Sequence, residues 1–348
     1  MATKTTPKRA HARTQRRSAG RARSSASPDS DTPARRSAGG TRSVASARDT
    51  RKTKPSRAKR LGLVDSWAET IRREVAGPNF QRDPEFLKKL IPLMEIWGRY
   101  FDAEVRGWEN IPKSGPMMLV GNHSGGALTP DTAAVMAGWY RQRGFAQPLI
   151  GLAFDTAFGI PGFRDLMRKI GQVPASWENV GKALDEGAAV LVYPGGVHEV
   201  YRPWKDRDKV DFGGHKGFIR VALEKQVPIV PIVGHGGHHT LVVLTRGEKL
   251  AKLLRMERIR MKTYPILLQI PWGISPALPG VPLPAKVTVQ ILKPIDWRKL
   301  GPKAATDPKI IERCYTEITT QMQAAMDALA KETPHPLRAR LKKLVARR

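Results

Sequence analysis

The sequence predicts an α/β fold, in which a layered sheet is flanked by helices and preceded by a disordered basic N-terminal tail. Short apolar strands alternate along the chain with amphipathic helical segments, a pattern typical of a sheet with helices packed on its faces. Residues 1–60, in contrast, consist almost entirely of Ala, Arg, Lys, Ser, Thr, Pro and Gly and include no aromatic residue. Such a segment cannot bury enough apolar surface to fold. We therefore expect a tail at 1–60, N-terminal helices at 61–110, an α/β domain at 111–333 and a basic tail at 334–348.

Three apolar segments that end in polar, glycine-rich loops predict three strands, at 117–120, 189–193 and 227–233. Pro228 and Pro231 indicate that the third is an edge strand or the start of a strand. Alternating residues predict a further strand at 287–292, and helices are expected at 178–186, 217–225 and 310–329. The loops after the first three strands should meet at one rim of an open sheet.

A histidine and a carboxylate follow the first strand. His123 lies in the loop after it, and Asp131 is expected to cap the next helix. A neutral imidazole held by a carboxylate accepts a proton from a hydroxyl near neutral pH, which is the general-base half of acyl transfer. A loop histidine beside an ordinary helix cap is the alternative interpretation.

The loop after the second strand reads Tyr193-Pro-Gly-Gly-Val-His-Glu199. The amides of Gly195 and Gly196 are candidate donors to a developing oxyanion, although a glycine pair also fits a simple tight turn. Glu199 is a candidate to orient His123, an arginine or the acceptor, with a solvated loop acid as the alternative.

These motifs resemble those of the PlsC-like phospholipid and glycerol acyltransferases, over roughly residues 90 to 300. Asn122-His123 with Asp131 resembles the family's first block, but the spacing is His-x7-Asp where the family has His-x4-Asp. Residues 193–199 resemble the Pro-Gly-Gly-x-x-Glu block of the diacylglycerol acyltransferase-like branch, and residues 227–231 match the fourth block. The second block, 171–176, lacks the arginine usual in the family.

The resemblance implies a glycerol-3-phosphate acyltransferase-like fold and an O-acyltransferase. Its reaction would move a fatty acyl group from acyl-CoA or acyl carrier protein to a hydroxyl of a glycerolipid such as 1-acylglycerol-3-phosphate. His123 would be the general base, and Asp131 would fix the imidazole tautomer. The expected substrate-binding residues are Asn122, Gly195, Gly196, Glu199, Arg202 and Lys216.

The two cations of that set have an alternative interpretation. Arg202 and Lys216 flank the Pro-Gly-Gly block and a glycine-rich loop, where they could hold phosphate or be surface charges. No cofactor is expected beyond the acyl-CoA or carrier-protein co-substrate. No metal site is expected either, because the spacing of His235, His238 and His239 is poor and no acid is close in sequence. Cys314 is expected to be a buried structural residue.

The charge of the chain suggests anionic partners. The net charge is +29, and residues 1–60 hold 18 Lys and Arg against 3 Asp. Such a tail fits an anionic membrane surface or nucleic acid. The sequence contains no uninterrupted stretch of 18 apolar residues, so it predicts no ordinary transmembrane helix. We therefore expect a peripheral protein at the cytoplasmic face of a membrane, whose oligomeric state the sequence leaves open.

Two segments are candidates for lipid contact. A helix starting at Asp83-Pro84 carries apolar, aromatic and basic residues that fit an interfacial helix or a helix covering the core. Residues 264–284 are proline-rich and fit a lipid-dipping segment, the lining of an acyl tunnel or a packed loop. Two alternatives to the glycerolipid enzyme remain: an acyltransferase for a neutral-lipid or other alcohol acceptor, and an inactive basic protein that binds membrane or nucleic acid.

Overall fold

The computed structural model describes residue 69 and residues 80–126, 129–160, 162–256, 262–278 and 280–346. The predicted tail at 1–60, most of the predicted helical segment before residue 80, and Arg347 and Arg348 lie outside the described residues. All the elements below belong to one compact unit, Pro55–Arg348.

The strands of the described residues are β1 (Glu104–Arg106), β2 (Met117–Gly121), β3 (Leu149–Ala153), β4 (Gln172–Pro174), β5 (Ala189–Val192), β6 (Ile229–His235), β7 (Val242–Thr245), β8 (Ile266–Gln269), β9 (Gly273–Pro276) and β10 (Thr288–Ile291). Within that part of the chain, seven of them form the main sheet in the order β1-β10-β6-β2-β5-β3-β4. Neighbours are parallel except β10 and β6, which are antiparallel.

The helices are α1 (Pro84–Tyr100), α2 (Pro130–Arg143), α3 (Phe163–Lys169), α4 (Trp177–Asp185), α5 (Gly196–Val200), α6 (Gly217–Lys225), α7 (Glu248–Leu253), α8 (Pro308–Glu332) and α9 (Pro336–Val345). Side-chain caps fix several starts. Asp83 accepts from the amide of Phe86 at 2.9 Å before α1, and Ser176 accepts from Asn179 at 3.1 Å before α4. The predicted α/β class, and the predicted strands and helices within these bounds, are confirmed.

The position of β6 corrects one prediction. Its prolines indicated an edge strand or the start of a strand. Pro228 does precede the first residue of β6, Ile229, but β6 is not an edge strand, because it lies inside the sheet between β10 and β2. Pro231 lies where the regular ladder between β6 and β10 ends. Its carbonyl accepts from the amide of Leu292 at 2.9 Å, beyond the last ladder pair between β6 and β10, Ile232 with Ile291.

Both faces of the main sheet are covered, which explains the continuous apolar run of β2. Met118 and Val120 pack into one core with residues of α4, α6 and α8, including the buried Cys314. Met117 and Leu119 pack into the other core with residues of α1 and α2. The helix predicted to be interfacial or to cover the core is α1. It buries one face in the core, through Leu87 and Ile91.

In the described part of the predicted lipid-contacting segment, 264–284, the chain forms two strands and no helix. Its strands β8 and β9 form an antiparallel hairpin that pairs with β7 in a second, three-stranded sheet. Among the described residues, no helix combines the length and the apolar stretch that crossing a bilayer requires.

Candidate active site

The carboxyl ends of β2, β5 and β6 lie side by side at one rim of the main sheet. Because β2 pairs with β5 on one side and β6 on the other, Val120 lies opposite both Val192 and Pro231. The loops after the three strands therefore meet, as predicted. The carboxyl ends of parallel strands are where ligands bind in open α/β sheets.

Asn122 ties the first of these loops to β6. Its Nδ2 donates to the carbonyl of Gly234 at 2.9 Å, and its Oδ1 accepts from the Gly234 amide at 2.8 Å. The side chain is buried, so both bonds are shielded from water. The pair fixes the start of the loop that carries His123.

His123 presents a half-buried ring at this rim. The ring stacks on Tyr193, with centroids 4.6 Å apart, and the main-chain amide donates to Oε2 of Glu199 at 2.9 Å. Burial lowers the pKa of His123 to about 4, so the imidazole is neutral at pH 7. Its Nδ1 is buried and has no hydrogen-bond partner among the described residues.

Asp131 is not the helix cap that the sequence predicts. The cap is Thr129, α2 begins at Pro130, and Asp131 lies in the first turn. Its Oδ2 accepts from the hydroxyl of Ser124 at 2.7 Å, and its Oδ1 accepts from the amide of Thr132 at 2.7 Å. Burial raises the pKa of the carboxyl to about 6. Asp131 therefore holds Ser124, the residue next to His123, and does not bond Nδ1 of His123.

Glu199 and Arg202 form a fully buried ion pair, with Oε1 and Nη2 2.6 Å apart. The same oxygen accepts from the amide of Asp211 at 3.3 Å, and the other oxygen holds the amide of His123. Burial raises the pKa of Glu199 to about 7, against the opposing effect of Arg202 and the two amides. Burial lowers the pKa of Arg202. Of the three groups that Glu199 was expected to orient, it contacts His123 and an arginine.

The glycine pair after β5 makes a close turn. The amide of Gly196 donates to the carbonyl of Tyr193 at 3.0 Å, so it is already used. A Cβ at Gly195 would lie 2.5 Å from Cβ of Glu199, closer than any side chain tolerates. Glycine at 195 thus permits the packing of Glu199, and its amide remains the candidate oxyanion donor.

Lys216 lies at the start of α6, at the edge of the rim. Its Nζ contacts Oε2 of Glu312 at 2.5 Å and lies 5.4 Å from the ring centroid of Tyr315. Both expected phosphate-binding cations, Arg202 and Lys216, are thus paired with carboxylates.

His235, at the end of β6, and His239 do have an acid beside them, which corrects the expectation from the sequence. Nε2 of His235 lies 3.4 Å from Oδ1 of Asp208, and Nε2 of His239 lies 3.7 Å from the same atom. His238 is buried beside them, and its Nε2 has no hydrogen-bond partner among the described residues. Burial lowers the pKa of His238 and outweighs the opposing effect of the hydrogen bond with the main chain of His123.

Two apolar cavities adjoin each other, and one of them reaches Gly125 of the His123 loop. One, of about 330 Å³, is lined by Gly125, Tyr201, Leu278 and Pro282 among others. The other, of about 440 Å³, is lined by β8 and β9 residues. They share Leu241, Gln269 and Val281 and are large enough to admit apolar chains.

Several residues of this site were not identified from the sequence, namely Ser124, Thr132, Tyr193 and Asp208. Tyr193 is the first residue of the block at 193–199. Its position directly after β5 could have identified it as a residue of the site. Its hydroxyl accepts from Thr132 at 2.8 Å while its ring supports His123. Asp208 gave no signal, because its contacts lie far away in sequence.

Comparisons with known proteins find similarity to acyltransferases. Residues 102–234 match the family model described as Acyltransferase. An uncharacterized protein of Mycobacterium tuberculosis is 27% identical over 270 residues, 76% of this chain and 73% of that protein. A Bos taurus protein named "DGAT1/2-independent enzyme synthesizing storage lipids" is 31% identical over 137 residues, 39% of each chain. The 1-acyl-sn-glycerophosphate acyltransferase PlsC from Thermotoga maritima aligns with a TM-score of 0.43 at 20% identity, covering 78% of this chain and 91% of that one.

The matched range holds every predicted site residue, from Asn122 to Lys216. The match of residues 102–234 to the acyltransferase family model confirms the resemblance to acyltransferases that the sequence predicts.

Proposed function

We propose that the chain is an O-acyltransferase that moves a fatty acyl group from acyl-CoA or acyl carrier protein to a hydroxyl of a glycerolipid such as 1-acylglycerol-3-phosphate. The observation that carries the proposal is the state of His123. Its imidazole is neutral, stands at the ligand-binding rim and is backed by Tyr193, while Glu199 fixes its main chain. A base needs this protonation state and this fixed position.

His123 would act on the acceptor hydroxyl. A ring nitrogen takes the hydroxyl proton as the oxygen attacks the thioester carbonyl carbon, which forms the new C–O bond and an oxyanion. Collapse of that intermediate breaks the C–S bond, and the thiolate takes the proton from the imidazolium. The products are an ester and a free thiol, and His123 is neutral again.

Asp131 and Gly195 would assist this step. Asp131 holds Ser124 in the structure, and we propose that its carboxylate comes to fix the tautomer of His123 when substrate is bound, since catalytic hydrogen bonds often tighten only then. The amide of Gly195 would donate to the oxyanion, because that of Gly196 is used in the turn. Arg202, held by Glu199, would act as a positioning residue.

A neutral acceptor is the second candidate, and one observation favours it. Arg202 and Lys216, the expected phosphate-binding cations, are each paired with a carboxylate, and the second block lacks its arginine. A phosphate headgroup would have to displace those carboxylates. Diacylglycerol or a long-chain alcohol makes no such demand, and the bovine relative is named for storage lipids.

Membrane association would bring the lipid to the rim. The β8–β9 hairpin exposes Leu268, Ile270, Trp272 and Ile274, each about half or more exposed at 49–71%. The 440 Å³ cavity opens beside them and adjoins the one that reaches Gly125. Exposed apolar patches of this kind mark membrane or protein contacts. We propose that the hairpin rests on an anionic membrane and that acyl chains pass beneath it, which makes the protein peripheral at the cytoplasmic face.

The experiment combines the purified chain with long-chain acyl-CoA and one of three acceptors: 1-acylglycerol-3-phosphate, diacylglycerol or a long-chain alcohol. Free thiol and the lipid product are both measured. We expect coupled formation of thiol and ester, and the acceptor that supports it decides between the two candidates.

His123→Ala is the test variant and His335→Ala the matched control, since His335 is exposed and remote in sequence from the site. Loss of a general base costs about 10²- to 10⁴-fold in rate. Equal turnover by both variants would refute the base assignment. No product with any acceptor, together with binding of anionic vesicles or nucleic acid that is lost on deletion of residues 1–60, would favour the inactive binding protein.

A further inference from the structure

Asp208, His235 and His239 come together beside the rim but take no part in the proposed acyl transfer. Each offers one atom suited to bind a metal, and these atoms all lie within 4.8 Å of one another. Asp208 comes from the segment after the short helical turn Trp204–Asp206, His235 ends β6, and His239 ends the turn Gly237–His239. We propose that these three residues bind a divalent transition metal, Zn²⁺ above all.

The separations within the cluster are wrong for hydrogen bonds and right for ligands. Oδ1 of Asp208 lies 3.4 Å from Nε2 of His235 and 3.7 Å from Nε2 of His239. Good N–H···O bonds are about 2.7–3.2 Å long. Ligand atoms about 2.1 Å from a tetrahedral ion lie about 3.4 Å apart along each edge. The two contacts therefore have the length of a coordination edge.

An unsatisfied atom is the second observation. His239 is buried, with 6% of its surface exposed, and its Nε2 has no hydrogen-bond partner among the described residues. A buried ring nitrogen without a partner costs about 1–3 kcal/mol, so natural proteins rarely keep one without a reason. Nε2 of His239 points toward the carboxylate that already faces His235, and a metal ion there would give all three atoms a partner.

The surroundings fit a small, partly covered site. The ring of Trp204 lies edge-on to His239, with centroids 5.0 Å apart, and covers it. The rings of His235 and His239 lie 5.6 Å apart at 65° to each other. Arg207 faces the other oxygen of the carboxylate, with its Nε 3.6 Å from Oδ2, which leaves Oδ1 for the ion.

The donor set identifies the metal class. Two imidazoles and one carboxylate are typical zinc ligands, whereas Mg²⁺ and Ca²⁺ prefer oxygen atoms alone. Three protein ligands leave a fourth position for water. The ion would join the segment at 204–208 to the end of β6, and so brace the region next to Arg202.

The test measures metal binding and not turnover, so it stands apart from the acyltransferase assay. The full chain without a histidine tag is freed of metal with a chelator and titrated with ZnCl₂ in competition with a chromogenic zinc indicator. We expect one Zn²⁺ per chain and a higher Tm when zinc is present. CoCl₂ in place of zinc should give the visible absorption of a tetrahedral site.

Asp208→Asn and His239→Gln each remove one ligand, and each should weaken zinc binding at least about tenfold. His238→Asn is the matched control, because His238 is buried in the same loop but outside the cluster. Circular dichroism of the metal-free proteins verifies that the variants fold. Absence of zinc binding by the wild type, or unchanged affinity in either ligand variant, would overturn the site and leave an ordinary polar network.

Discussion

Glu199 joins the main chain of His123 to the guanidinium of Arg202. One carboxylate oxygen accepts from the His123 amide at 2.9 Å, and the other faces Nη2 of Arg202 at 2.6 Å, with both side chains fully buried. Removing one partner from a buried ion pair leaves an uncompensated charge. The stability of the pair and the position of His123 therefore depend on the same carboxylate.

We expect Glu199→Gln to lower the free energy of unfolding by about 3 kcal/mol or more, because it leaves Arg202 charged and buried. The double variant Glu199→Gln with Arg202→Met should recover much of that loss, since no buried charge remains. Urea denaturation measures both.

Glu95→Gln is the control for this pair. It breaks a surface ion pair of similar length, 2.7 Å to Arg141, and should cost less than about 1 kcal/mol. If Glu199→Gln cost no more than Glu95→Gln, the buried pair would not stabilise the fold.

The candidate catalytic residues could be chosen from the sequence because they lie directly after apolar strands. An apolar strand followed by polar or glycine-rich residues predicts both the strand and a candidate site at its carboxyl end, and β2 and β5 have this pattern. The contacts that hold the residues could not be predicted in this way. Glu199 with His123, and Asp208 with His235, join residues on separate elements, and only the strand order brings them together.

Pro231 and the β8–β9 hairpin show a second limit. The tendency of proline to lie at sheet edges predicted an edge position, but Pro231 lies in a strand inside the sheet, just beyond the last ladder pair between β6 and β10. The hairpin at 266–276 was hidden by its prolines and by exposed apolar side chains, which lack the alternation that identifies a strand.

Asn122 should contribute to stability through both groups of Gly234. Asn122→Ala leaves a buried N–H and a buried carbonyl without partners, at about 1–3 kcal/mol each, so we expect a loss of about 2 kcal/mol or more. Chemical denaturation measures this. Asn110→Ala is the control, because Asn110 is half-buried and donates a single bond, 2.9 Å to the carbonyl of Ile291. Losses of equal size would show that the paired bonds add nothing.

The depressed pKa of His123 predicts how stability depends on pH. Burial lowers this pKa to about 4, whereas an unfolded histidine has about 6.5. The unfolded state therefore binds more protons between these values. The contribution of His123 is fully present above pH 6.5 and is lost as the pH falls toward 4. Asp131 and Glu199, whose folded pKa values are raised by burial, act in the opposite direction.

Comparing the wild type with a His123 variant separates the effect of His123 on stability from the effects of the two carboxyls. We expect the wild type to lose more stability between pH 7.5 and pH 4.5 than His123→Asn, which keeps the polar side chain but does not titrate. Urea denaturation at the two pH values gives the comparison. An identical loss in both proteins would mean that the folded-state pKa of His123 is not depressed.

Two exposed apolar surfaces, one on the β8–β9 hairpin and one on α1, are candidates for membrane contact. One pair of variants distinguishes them. Ile274 on β9 is 71% exposed beside the hairpin cavity, and Ile96 on α1 is 59% exposed on the helix that the sequence marked as interfacial. Burying an apolar side chain of this size in lipid contributes about 1.5–3 kcal/mol, so its replacement by aspartate should weaken binding at least about tenfold. Because α1 already places Leu87 and Ile91 in the core, we expect Ile274→Asp to reduce binding to anionic vesicles and Ile96→Asp to leave it near the wild-type value. Co-sedimentation with vesicles measures both proteins under the same salt. The reverse result would place the membrane against α1 and leave the hairpin cavity without a lipid source.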